Sequence, residues 1–148
     1  MGDVRDLRSA PSVRRAERQT PSFQDEMVLR AEPRAPRAVR HWVMRTIAGL
    51  GVTGAANQVV ELLTAELVSN AVVHGPEGGE IRVQLRVAGS SVRVEVQDTG
   101  HGSPTVRHPE LTAPSGRGLA LVEALSGSWG TRPDESGTSV WFEVDADA

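Results

Sequence analysis

Four short groups in this chain combine residue types and spacing suited to chemistry: Glu66-Leu-Val-Ser-Asn70, Asp98-Thr-Gly-His-Gly102, Gly116-Arg-Gly118 and Gly137-Thr138. Glu66 and Asn70 stand four residues apart, so on a helix they share one stripe and can serve one ligand. Asp98 with Gly100 and Gly102 puts a carboxylate beside backbone that can approach a flat ligand closely. Gly116-Arg117-Gly118 precedes an apolar run, and a helix start with free backbone N–H groups attracts phosphate. Together, in this order, the groups describe a nucleotide pocket without lysine. All 16 basic residues are arginine, which excludes a P-loop, whose Lys must reach the outer phosphates. A dinucleotide fingerprint is also absent, since Leu121 stands where the third glycine would be.

The elements that must hold these residues follow from periodicity. Residues 1–20 are polar and Arg-rich, a leader expected to lack fixed structure, and residues 21–148 form the domain. A short edge strand is expected through Val28 and Leu29. A helix follows with Pro36 in its first turn and Val39, Trp42, Val43 and Ile47 on one side, ending at Gly49-Leu-Gly51. A second helix is expected from about Ala55 to His74, stopped by Gly75-Pro76. Ile81, Val83, Leu85 and Val87 alternate with polar residues, as do Val92, Val94 and Val96, and Gly89-Ser90 joins the two strands. Such alternation means one buried and one solvated face. After a loop over 99–115 come a helix near Gly118–Leu125 and strands near Ser128–Thr131 and Thr138–Val144. The fold class expected is α+β, a two-layer sandwich with a mixed, mostly antiparallel sheet and helices on one face.

Two sets of polar residues break this pattern. On the second helix, Val59, Leu62, Leu63 and Leu67 mark an apolar arc, and Glu66 and Asn70 project from its middle. A carboxylate among leucines is costly without a partner, and a shared ligand accounts for both residues economically. Asp98 has the parity of Val92, Val94 and Val96 and so points toward the helices.

Composition narrows the function classes. At 148 residues, 39% hydrophobic and 24% charged, the chain suits one soluble globular domain. With no cysteine there are no disulfides, thiolate metal sites or cysteine nucleophile. No signal peptide is read, and the apolar stretch from His41 to Ala71 carries Arg45, Asn57, Gln58, Glu61 and Glu66, so no membrane span is expected and the address is cytoplasmic. Residues 1–40 hold nine Arg against six acids, the remainder seven against thirteen. The signs alternate in the leader and only Phe23 offers a ring, so direct nucleic-acid binding is not expected. His41, His101 and His108 have no ligand partner at helical spacing, and His74 is assigned to ending its helix, so no zinc is expected.

The four groups resemble the boxes of the ATP-binding domain shared by sensor histidine kinases, the Hsp90 and gyrase ATPases and bacterial anti-sigma-factor serine kinases, the Bergerat or GHKL fold. The resemblance covers about residues 22–145, with the blocks in family order. It implies ATP and Mg²⁺ as cofactors. Asn70 would hold the metal, Asp98 would accept from the adenine amino group, and Gly100, Gly102, Gly116, Gly118 and Thr138 would frame the nucleotide. Arg117 would lie near the γ-phosphate, with Arg107 and His108 as alternatives, and Glu66 would act as catalytic base. The Glu-Leu-Val-Ser-Asn-Ala-Val-Val-His stretch and Gly-Arg-Gly-Leu are similar to the anti-sigma-factor serine kinases. That resemblance implies a sigma factor and an antagonist protein as partners, serine phosphorylation on the antagonist, and allows a homodimer. The alternative reading is an ATP-binding switch that binds a protein partner without phosphoryl transfer.

Overall fold

Period-two alternation builds the sheet, and its register positions everything else. The computed structural model describes residues 22–76, 78–98, 116–134 and 137–147. Their order is β1 (Ser22–Arg30), α1 (Ala35–Gly49), α2 (Gly54–His74), β2 (Glu80–Ala88), β3 (Ser91–Asp98), α3 (Gly116–Leu125), β4 (Ser128–Asp134) and β5 (Gly137–Asp145). The sheet runs β1-β2-β3-β5-β4. All four pairings are antiparallel, more uniform than the mixed sheet expected. Ile81, Val83, Leu85 and Val87 of β2 and Val92, Val94 and Val96 of β3 are buried beneath the helices, as their parity requires. This is the two-layer α+β sandwich.

β1 is longer than its sequence suggested, pairing with β2 from Ser22 opposite Ala88 to Arg30 opposite Glu80. Asp25 and Glu26 are accommodated because on an edge strand charged side chains reach water and discourage further pairing. Glu26 also accepts from Arg82 across the strands at 2.8 Å. The outer face of the sheet is a lattice of such pairs. Arg93 lies 4.1 Å from the centre of the Trp141 ring and 3.2 Å from Glu143, and Arg132 reaches Glu95 at 2.7 Å.

α1 buries Ala35, Val39, Val43 and Ile47 against the sheet, with Trp42 half-buried beside them. It ends where the Val52 N–H donates to the Ile47 carbonyl at 2.9 Å. Asn57 then fastens α2 to this corner, its amide donating to the carbonyls of Val52 (2.9 Å) and Met44 (3.1 Å). The buried face of α2 differs from the expected arc. It runs through Val60, Leu63, Thr64, Leu67 and Val68, whereas Leu62 and Val73 are exposed at 39% and 69%. α2 is apolar on more than one side, so counting apolar residues could not identify the side that the sheet covers. As a result Asn70 sits at the edge of the buried face, and Glu66 falls on the flank, half-buried.

Candidate functional site

Three elements end at one place: the last two turns of α2, the end of β3 and the start of β5. Asp98, the last residue of β3, pairs directly with Thr138 of β5. Both side chains are buried, as are Asn70 and His74 on α2. Leu67, Asn70, Ala71, His74, Val96, Asp98, Thr138 and Val140 line one cavity of about 20 Å³. A space of that size holds about one water molecule. Its chemistry is a carboxylate, a hydroxyl, the Asn70 amide and the His74 imidazole beside the apolar walls of Leu67, Ala71, Val96 and Val140. The Thr138 hydroxyl is buried and has no hydrogen-bond partner among the described residues. A buried, unsatisfied hydroxyl costs about 1–3 kcal/mol, which a polar ligand would recover.

Two glycines let the chain close around Asp98. A Cβ at Gly75, which ends α2, would lie 2.5 Å from the Ala71 carbonyl oxygen and 3.0 Å from Asp98 Oδ2. A Cβ at Gly137 would lie 1.8 Å from the Asp98 carbonyl oxygen, and Gly137 has φ +149°, which favours glycine. Both positions must lack a side chain for the carboxylate to stand where it does.

The expected residues thus divide. Asn70, Asp98 and Thr138 meet at the cavity. Glu66 does not line it, and makes no ion pair or hydrogen bond among the described residues. Half-exposed, it does not need the partner that full burial would have demanded. Gly100, Gly102, Arg107 and His108 lie outside the described residues. Gly116, Arg117 and Gly118 form the first turn of α3, which begins two residues earlier than expected; the side chain of Arg117 lies outside the described residues. His74, one turn beyond Asn70 and assigned to ending its helix, is the last residue of α2 and also lines the cavity. Sequence reasoning missed the walls from Val96 and Val140 because valines facing a core and valines facing a ligand look alike in sequence.

A larger hollow of about 270 Å³ lies on the outer face of the sheet, among Gln24, Glu26, Gln84, Arg86, Arg93 and Glu95. Within it Arg93 stands 3.5 Å from Glu95, and Glu26 pairs with Arg82. Among the described residues no group of three His, Asp or Glu side chains gathers to hold a metal, and no helix is long and apolar enough to cross a membrane.

Comparison with known proteins gives a consistent result. Residues 29–144 match the histidine kinase-like ATPase domain. No curated protein matches the chain. Among solved structures, the RsbU and RsbW domains of Rv1364c from Mycobacterium tuberculosis are 26% identical, with a TM-score of 0.65, over 84% of this chain and 32% of that one. The histidine kinase domain of the EL346 blue-light activated histidine kinase from Erythrobacter litoralis is 20% identical, with a TM-score of 0.52, over 76% of this chain and 61% of that one. A longer structure of the same kinase is 21% identical, with a TM-score of 0.52, over 74% and 41%. The chain therefore spans between about a third and three fifths of these solved chains, and at the lower identities the likeness is one of fold alone. With the match extending from β1 into β5, this chain belongs to the histidine kinase-like, or GHKL, ATPase family and is an ATP-binding, kinase-like domain.

Proposed function

We propose that this chain is an ATP- and Mg²⁺-dependent regulatory serine kinase that binds a sigma factor and phosphorylates an antagonist protein. The observation that carries the nucleotide reading is the Thr138 hydroxyl, without a partner among the described residues and buried beside the Asp98 carboxylate in a cavity that Asn70, His74 and four apolar side chains complete. An acceptor carboxylate and a hydroxyl fit the amino edge of adenine, and Leu67, Ala71, Val96 and Val140 fit its faces. Asn70 lines the same cavity and makes no hydrogen bond among the described residues, so its amide oxygen is available to a magnesium ion. Bound ATP supplies the phosphoryl group. Glu66, on the same helix and one turn before Asn70, takes the proton from the incoming serine hydroxyl as its oxygen attacks the γ-phosphorus, the bond from that phosphorus to the β,γ-bridging oxygen breaks and ADP leaves. Arg117 in the first turn of α3 offsets charge on the outer phosphates, joined by the backbone N–H groups of that helix start.

The regulatory part of this reading rests on family and on the resemblance to the RsbW-containing structure. A second reading, an ATP-binding switch without transfer, is favoured by Glu66 lying outside the cavity. Two measurements separate them. Calorimetric titration of ATP with Mg²⁺ and then with EDTA tests the site, and absence of binding in both sinks either reading. Incubation with [γ-³²P]ATP and the cognate antagonist tests the chemistry: labelled phosphoserine, lost in Glu66→Gln, is expected. Full labelling by that variant would remove Glu66 as the base, and no labelling by the wild type would leave the switch.

A further inference from the structure

α1 carries charges of one sign on its solvent face. From Ala35 to Gly49 the helix has Arg37, Arg40, His41 and Arg45 and no Asp or Glu. Arg37, His41 and Arg45 follow one another at intervals of four residues, and all three are exposed. At about 100° per residue they form a narrow stripe, joined by Arg34 at the N-cap and lying opposite Val39, Val43 and Ile47. Arg34 pairs with Glu32 at 3.1 Å and Arg40 with Glu61 of α2 at 3.3 Å. Arg37, His41 and Arg45 have no ion pair among the described residues. Beside them, Ala38, Trp42 and Thr46 complete a shallow depression.

A charged outer face is ordinary for a surface helix, but it usually mixes signs. This stripe also works against its own helix. The N-terminal end of a helix favours acids and disfavours cations, yet the first turn of α1 has no acid and Arg37 lies within it. Helix stability therefore does not explain the pattern. The chain as a whole has a net charge of −3, so the stripe is a local exception on an acidic protein.

We propose that the outer face of α1 is a docking surface for an acidic helical segment of a partner protein. The stripe extends about 12 Å from Arg37 to Arg45 at a rise of about 1.5 Å per residue, matching carboxylates at the same four-residue interval on a facing helix. Trp42 beside it supplies apolar contact. A nucleic acid fits less well, because a single short row of cations on an acidic domain meets few phosphates. The surface lies on a different helix from the cavity and does not depend on the nucleotide reading.

The test uses a short fluorescein-labelled amphipathic peptide with Glu at four-residue intervals and leucines alongside, its Lys counterpart, and a labelled DNA duplex. Anisotropy is read with the full chain and with Arg37→Glu/Arg45→Glu, whose fold is checked by thermal unfolding. The acidic peptide is expected to bind, to weaken as salt rises, and to lose at least about tenfold in affinity to the double variant. The variant is expected to prefer the Lys peptide. The proposal is overturned if the acidic peptide does not bind, if the variant binds it unchanged, or if DNA binds more tightly than the peptide. ATP titration of the same variant is expected to match wild type, so a failed nucleotide site and a failed docking surface give different results.

Discussion

Replacing Gly137 by alanine tests whether the site is set by the register of β3 against β5. The added Cβ would lie 1.8 Å from the Asp98 carbonyl oxygen, whereas real Cβ atoms keep at least 3.0 Å, so the strands must part by about 1.2 Å. The atom it meets is backbone, and no rotamer change relieves the contact. The residue also occupies φ +149°, where a side chain costs on the order of 1–3 kcal/mol. Both effects fall on the Asp98–Thr138 pair. Loss of one hydrogen bond to a charged group costs about 1.5–3 kcal/mol, or roughly 10- to 150-fold in affinity. Urea unfolding followed by tryptophan fluorescence reads the stability, since Trp129 and Trp141 lie on β4 and β5. Calorimetry reads ATP affinity. Gly127→Ala is the control, because its Cβ would stand 3.5 Å from the Glu143 carbonyl oxygen, an ordinary contact. If Gly137→Ala bound ATP within threefold of wild type and unfolded at the same urea concentration, the account of how Asp98 is positioned would be wrong.

Three further changes probe the frame. Asn57→Ala removes the donor to two carbonyls at the α1–α2 corner, and about 2–3 kcal/mol should be lost in urea unfolding with ATP affinity unchanged. Thr64→Val replaces a fully buried hydroxyl that has no partner among the described residues, and a gain of about 1 kcal/mol is expected by the same assay. Ser90→Ala bears on Asp145, whose carboxyl is held below its usual range first by the Asp147 N–H and second by the Ser90 hydroxyl. A lowered folded-state pKa adds stability above the unfolded value and loses it as pH falls through the folded one. The variant should therefore show a higher Asp145 midpoint in an NMR titration and less of this acid-dependent change.

The sheet was legible because period two assigns each side chain to a face, so Asp98 could be placed inward from the parity of Val92, Val94 and Val96. α2 was harder to read. Val59, Leu62, Leu63 and Leu67 form an apolar arc on a wheel, but Val60, Thr64 and Val68 lie on the buried side too, and only the packed sheet chooses between the sides. The role of Asn57 was hidden for a related reason. Its partners are backbone carbonyls, which leave no mark in a sequence, so it read only as a polar interruption. Gly75 read only as a helix stop and Gly137 only as part of a short motif, because the need for glycine there comes from Asp98, distant in the chain and adjacent in space.

The arrangement separates two tasks that a single motif list merges. The floor of the cavity is made by regular structure: a helix end, a strand end and a strand start fixed by antiparallel pairing. Asp98 and Thr138 are held there before any ligand arrives, which keeps the ordering cost of binding low. Glu66 stands apart from that floor, on the half-exposed flank of α2. A residue that does not touch the base contributes little to holding it, but it can still act on a hydroxyl delivered by another protein. Asp98→Asn should therefore weaken ATP binding in calorimetry, roughly 10- to 150-fold by the hydrogen-bond estimate above. Glu66→Gln should leave that affinity within a few-fold and abolish transfer. Equal loss of affinity in both variants would mean that the base and the phosphates are held by one connected network, and the division drawn from the cavity would not stand.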